Sequence, residues 1–154
     1  MLKAIIRPAK MSDLQQLSHL CMKHAEYEKA EWKTENHELK LKALLFSKGA
    51  LLKCLVISAD DALLGYATFT KQVSTWDGDF YMYLDCIYLE ESLRGQGFGK
   101  QLMKVIKEEA KKEGCQQLQW QTPNFNVETI QFYKKLGAKP KTKERFFWEI
   151  DDLL

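Results

Sequence analysis

Apolar residues recur along this chain with two periods, every second position in some stretches and every third or fourth in others, and the two periods divide it into strands and helices. Ala4-Ile5-Ile6-Arg7 is a short extended run stopped by Pro8. Ser12 with Gln15 three positions later has the form of a capping box, and Leu14, Leu17, Leu20, Cys21 and His24 then fall on one helical face. Thr34 can cap a second helix reaching about Ser47, with Leu39, Leu41, Ala43, Leu44, Leu45 and Phe46 as its apolar content and Gly49 as its stop. Residues 51–57 read as a buried strand, Asp60-Asp61 as a hairpin turn, and 63–70 as the returning strand. A longer turn over 75–79 leads into 80–89, the central strand. Residues 98–113 form a helix that buries Leu102, Met103, Val105 and Ile106 and stops at Gly114. Residues 116–121 alternate like a half-buried strand. Asn126 caps a helix carrying Ile130, Phe132, Tyr133 and Leu136, closed by Gly137, and 145–150 is the last predicted strand. The order is β-α-α-β-β-β-α-β-α-β, an α/β (α+β) fold in one domain spanning 1–154, without repeats or linkers.

Composition narrows the function classes. At 154 residues, 45% apolar and 29% charged, the chain is an ordinary globular one with room for a real core. A net charge of +2 is too small to imply nucleic acid or an anionic membrane as partner. No window approaches twenty apolar residues, and the first residues lead into a strand pattern rather than a signal peptide. Cys21, Cys54, Cys86 and Cys115 are scattered with no CxxC pair, as expected of reduced thiols in a cytoplasmic protein. His19, His24 and His37 have no ligand spacing with them, so no metal is expected.

The stretch Leu93-Arg94-Gly95-Gln96-Gly97-Phe98-Gly99-Lys100 lies between the central strand and a strong helix. Alternating glycines there allow positive φ and close approach of a ligand to the main chain. The N–H groups at the helix start then point at an anion, aided by the helix dipole. Arg94 and Lys100 add charge at the two ends. The spacing is not GxGxxG, no acidic residue follows about twenty positions on, and GxxxxGK[ST] is absent, which argues against dinucleotide and nucleoside triphosphate loops.

The spacing Arg94-x-x-Gly97-x-Gly99 instead resembles the pyrophosphate loop of the GNAT N-acetyltransferase family. Asn126, Phe132-Tyr133 and Gly137-Ala138 resemble a second mark of that family, and the element order matches nearly end to end. The resemblance implies a central mixed, mostly antiparallel sheet flanked by about four helices. It also implies acetyl-CoA held by Arg94, Gly95, Gln96, Gly97, Gly99 and Lys100, with a contact from Asn126. The pantetheine arm would add to an exposed strand edge at Ile87 to Leu89, beside a bulge.

Acyl transfer to an amine needs a neutral amine, a stabilised oxyanion and a proton for the departing thiolate. Tyr133 stands where the family places the tyrosine that protonates the thiolate, and phenol suits that task. Asp85 sits in an apolar strand, where an unpaired buried carboxylate would cost several kcal/mol, so it is expected to face the cleft and the acceptor ammonium. Tyr27-Glu28, the Trp76 turn and Tyr83-Leu84-Asp85 look like the spermidine/spermine (diamine) branch, with Asp85 matching its catalytic glutamate and Glu28 a polyamine-contacting one. Cys86 stands where that branch has a second acid, which leaves a shorter diamine or a lysine analogue open as acceptor. Glu26, Glu28, Glu31, Glu35, Asp77 and Asp79 are expected around the acceptor mouth, and Trp32 and Trp76 could stack on a cation. The apolar end, Arg145-Phe146-Phe147-Trp148, resembles a strand that relatives pair across a two-fold axis, implying a homodimer. The competing readings are acetylation of a protein amine or an aminoglycoside, and a coenzyme-binding module without catalysis.

Overall fold

The alternating runs pair as their periods require. In the computed structural model, which describes residues 3–153, five strands form one sheet in the order β1-β2-β3-β4-β5. They are β1 (Ile5–Pro8), β2 (Lys53–Ala59), β3 (Ala62–Ser74), β4 (Asp79–Leu89) and β5 (Leu118–Trp120). The first four are antiparallel neighbours, and β5 runs parallel to β4. Asp60-Asp61 makes the tight β2–β3 turn, with Ala59 opposite Ala62 and Asp60 at φ 53°. Asp tolerates that left-handed position because its short side chain can bond locally.

Three helices cover the sheet: α1 (Leu14–Tyr27), α2 (His37–Phe46) and α3 (Phe98–Lys112). From α1 and α2, Leu14, Leu17, Leu20 and Leu41 pack on Cys54, Val56 and Tyr66. Alternation sends Leu55, Ile57, Ala67 and Phe69 to the opposite face. There α3 contacts β3 and β4 and buries Leu102, Met103, Ile106 and Ala110. Each such leucine or isoleucine contributes about 1.5–3 kcal/mol by leaving water. Among the described residues no helix is long and apolar enough to cross a membrane.

Two predicted helix starts differ. Met11–Asp13 forms a 3₁₀ turn ahead of α1, and Ser12 does not cap the helix. Asp13 organises that corner instead. Its carboxylate accepts the Lys10 N–H at 2.7 Å and both Arg7 Nη groups at 2.7 and 2.9 Å. A charge-assisted fork outweighs what a serine hydroxyl can offer. The second helix starts at His37 rather than next to Thr34, because Asn36 takes a left-handed φ of 54°. Leu41 is buried there, whereas Leu39 and Leu44 stay exposed.

The feature that positions the site is a bulge in β4. Thr68 pairs with Cys86 and Phe69 with Leu84, so Asp85 is an extra residue. One extra residue reverses the alternation. Leu84 then shares the α3 face with Ile87, while Cys86 and Tyr88 pack toward α1.

Residues from Asn124 onward form a second compact unit. Its helix, α4 (Val127–Lys135), has Asn126 at the N-cap position. Gly137, at φ 94°, closes it. The Gly137 N–H donates to the Lys134 carbonyl at 3.0 Å and the Ala138 N–H to that of Tyr133 at 3.1 Å. The strand predicted over 145–150 does not form, and residues 138–149 carry no regular structure. Phe146, Phe147, Trp148 and Ile150 are 71% to 96% exposed. Strand propensity is satisfied only by pairing with an edge, and this run has no strand partner among the described residues.

Candidate active site

The glycine stretch has the conformation its residues permit. After β4 the chain makes a 3₁₀ turn, Glu91–Leu93, which buries Leu93. Gly95 and Gly97 then take φ of 76° and 86°. A Cβ built on either meets nothing within 4 Å, so the main chain there borders open space. Gly97 is the N-cap of α3, and no side chain caps that helix. Uncapped first-turn amides at a glycine N-cap are what an anionic group can complete. Gly99 and Lys100 lie in the first turn, Lys100 with its side chain exposed. The Gln96 side chain turns back to donate to the Ser92 carbonyl.

Arg94 ties this loop to α1. Its Nε donates to the Leu89 carbonyl at 3.1 Å, and its guanidinium lies 4.8 Å from the Tyr27 ring and 5.8 Å from the Tyr88 ring. Stacking of this kind leaves the in-plane N–H groups of arginine directed past the ring edges.

The strand leading into the loop ends its pairing early. β5 pairs with Met82, Tyr83 and Leu84. From Asp85 to Leu89 that edge of β4 has no strand beside it among the described residues, leaving Ile87 and Leu89 where an extended ligand arm could add. Asp85 stands exposed on the bulge at the junction. The Cys86 sulfur lies 3.6 Å from its Oδ2. Burial, with the charge of Asp85 next, pushes the Cys86 thiol up to about 12, so it stays protonated. The residues present therefore fit an extended, phosphate-bearing coenzyme: an open edge, then an uncapped glycine-rich helix start.

Beside this edge the end of α1 brings together a cluster. Tyr27 is its last residue and Glu28 its C-cap. The Tyr27 and Tyr88 rings meet edge-on at 6.3 Å, and His24 stacks on Tyr88 at 5.5 Å. His24 Nδ1 is 2.8 Å from the Tyr66 hydroxyl, and Nε2 is 3.3 Å from Glu28 Oε2. Burial lowers the His24 pKa against the opposing pull of Glu28 and Asp85. Burial also raises that of Tyr66, which keeps its proton. Lys23 pairs with Glu90 at 2.6 Å alongside.

Tyr27, Glu28, Arg94 and the Asp85 end of β4 thus lie in one region of the structure. Trp76 does not join them. It is 97% exposed in the β3–β4 turn, with Asp77, just ahead of Asp79 at the far end of β4. The six residue steps along the strand from Asp79 to Asp85 span about 20 Å. Asn126 and Tyr133 lie on the second unit, Tyr133 with its ring 5.4 Å from that of Phe132. His24, Tyr66 and Tyr88 join the site without any sequence motif to mark them as its members. The available signal was the i,i+4 spacing of His24 and Glu28; the meeting with Tyr66, 42 residues away, is tertiary. Among the described residues no group of three or more His, Cys, Asp or Glu could hold a metal ion.

Comparison with known proteins gives the same frame. The family described as the acetyltransferase (GNAT) family matches residues 12–138. A thialysine N-ε-acetyltransferase of Bos taurus is 33% identical over 90% of this chain and 86% of its own length. The protein of that name from Sus scrofa is 31% identical over 93% and 88%. Among solved structures, an aminoglycoside N-acetyltransferase in complex with CoA superposes with a TM-score of 0.79 over 96% of this chain and 95% of its own, at 18% identity, a likeness of fold.

Proposed function

The chain belongs to the acetyltransferase (GNAT) family and is an acetyltransferase; from that premise we propose that it transfers the acetyl group of acetyl-CoA to a primary amine of a small cationic acceptor by direct attack. The observation that carries this reading is the unpaired β4 edge, which begins at the exposed Asp85 bulge and runs into the uncapped glycine loop. In this reading Ile87 and Leu89 offer main-chain partners to the pantetheine arm. Arg94, Gly95, Gln96, Gly97, Gly99 and Lys100 hold the pyrophosphate, with Asn126 as a further contact. Acetyl-CoA supplies the thioester. Asp85 holds the acceptor ammonium and takes up its proton, directly or through water. Tyr27 and Glu28 bind its cationic body, and Tyr133 gives a proton to the departing thiolate.

For the acceptor, the similar proteins named for thialysine favour a short diamino compound. Cys86, a neutral thiol after Asp85, supports the shorter acceptor, because a weaker acidic field suits fewer positive charges. A homodimer joined through residues 145–150 belongs to the same reading, supported by the exposed aromatic groups there. The free cysteines suit a reducing cytoplasm.

The test is release of free thiol from acetyl-CoA with thialysine, lysine, ornithine, putrescine, spermidine, aminoglycosides and peptides. Turnover is expected with the diamino compounds, rising with pH as the ammonium loses its proton, and Asp85→Asn should lower kcat/KM at least tenfold, about 1.4 kcal/mol. Turnover confined to peptides or aminoglycosides would overturn the acceptor reading.

A further inference from the structure

A carboxylate at a helix C-terminus faces the negative end of the dipole, and without a donor it is unfavourable there. Glu28 is in that position, as the C-cap of α1. Its neighbour is the imidazole of His24, one turn earlier, whose Nε2 is 3.3 Å away. A carboxylate can only accept, so this contact puts the ring proton on Nε2 and leaves Nδ1 as an acceptor. The group at Nδ1 is the Tyr66 hydroxyl at 2.8 Å, on a residue 1% exposed. Burial keeps that hydroxyl protonated, so it retains a proton with which it can donate to Nδ1. One tautomer therefore suits both ends: the Tyr66 hydroxyl can donate to Nδ1, and the Nε2 proton faces the Glu28 carboxylate. The opposite tautomer would set a bare nitrogen lone pair against the carboxylate. Stacking on Tyr88 and edge contact with Tyr66 at 5.9 Å fix the ring plane.

Resting on the acceptor reading above, we propose that His24 is a positioning residue which aims Glu28 at the acceptor while leaving it a full anion. A lysine or arginine at position 24 would hold the carboxylate as well but would cancel its charge. A neutral imidazole orients it without doing so. Glu28 is then free to take a second positive charge on the acceptor while Asp85 deals with the reacting amine. The acceptor class this selects is a dication, a diamine or a diamino acid, over a monoamine.

The experiment combines steady-state kinetics with ¹⁵N NMR of the His24 ring in the whole protein. His24→Leu should raise the acceptor KM roughly tenfold, the loss expected for one charge-assisted hydrogen bond, with kcat and CoA affinity within about twofold. His24→Gln, whose amide can still donate to Glu28, should restore most of it. Wild-type preference for a diamine over a monoamine of equal length should shrink in His24→Leu. NMR should find a neutral ring protonated on Nε2 at pH 7. An unchanged acceptor KM in His24→Leu, or a ring protonated on Nδ1, overturns the inference. Should His24→Leu fail to fold, the tautomer and the Gln variant still decide it. A wild-type protein silent toward every small amine would overturn the acceptor reading instead, and the ring's tautomer would still test the contact with Glu28 independently.

Discussion

Replacing Gly97 with alanine separates the cost of a backbone conformation from the cost to a ligand. Gly97 has φ 86° and ψ 0°. An L-residue forced into that left-handed region loses about 1–2 kcal/mol. For a chain of 154 residues, each kcal/mol lowers Tm by roughly 2–4 °C, so Gly97→Ala should melt about 2–8 °C lower. No steric cost is added, because the new methyl meets no protein atom within 4 Å. That same open space is where a phosphate must approach the first amides of α3. Loss of one charge-assisted contact there weakens binding by about 1.5–3 kcal/mol, roughly 10- to 100-fold in Kd. Gly49→Ala is the control, since Gly49 has φ 77° and equally open surroundings but lies after α2, outside the loop. Calorimetric melting and CoA titration of both variants give four numbers. Both should lose similar Tm, and Gly97→Ala alone should lose CoA affinity. Wild-type affinity in Gly97→Ala, with the Tm loss present, would refute the assignment of this helix start as the phosphate site.

Tyr133→Phe should lower kcat by a factor on the order of 10² or more with CoA affinity retained; equal turnover would remove Tyr133 as the thiolate's proton source. Asp13→Asn should destabilise the fold by about 2–4 kcal/mol in denaturant at pH 7, through loss of the Arg7 fork. The hydrogen bonds from Arg7 hold the Asp13 carboxyl below its usual 3.8. Its stabilisation is therefore complete above that pH and disappears as pH falls through the depressed value. The Asn variant should show a flatter acid limb, and parallel acid limbs would contradict the linkage. In sedimentation at micromolar concentration the wild type should run as a dimer and Trp148→Glu as a monomer. A wild-type monomer mass independent of concentration would refute pairing through residues 145–150.

Much of this was legible in one dimension because the signals are local. Strand alternation, the Asp60-Asp61 turn and the helical spacing of Leu14, Leu17 and Leu20 or Leu102 and Ile106 depend on neighbours a few residues apart. The glycine loop was legible for the same reason, since φ of 86° at Gly97 is a property of one residue type at one position. The start of α1 departs from its capping pattern because Asp13 is engaged by Arg7 on β1, across a 3₁₀ turn that no such pattern announces.

Short-range sterics and burial set the element order as far as α4, the sheet-and-helix class and the glycine loop, so these can be read along the chain. That Asp85 occupies a bulge emerges only in the folded sheet, because an extra residue exists only relative to the partner strand. Folding likewise joins His24 to Tyr66, whose contact depends on how α1 lies across β3. It also leaves the aromatic run at 145–150 without a strand partner among the described residues, since propensity can favour an extended chain but only a second edge can supply its hydrogen bonds.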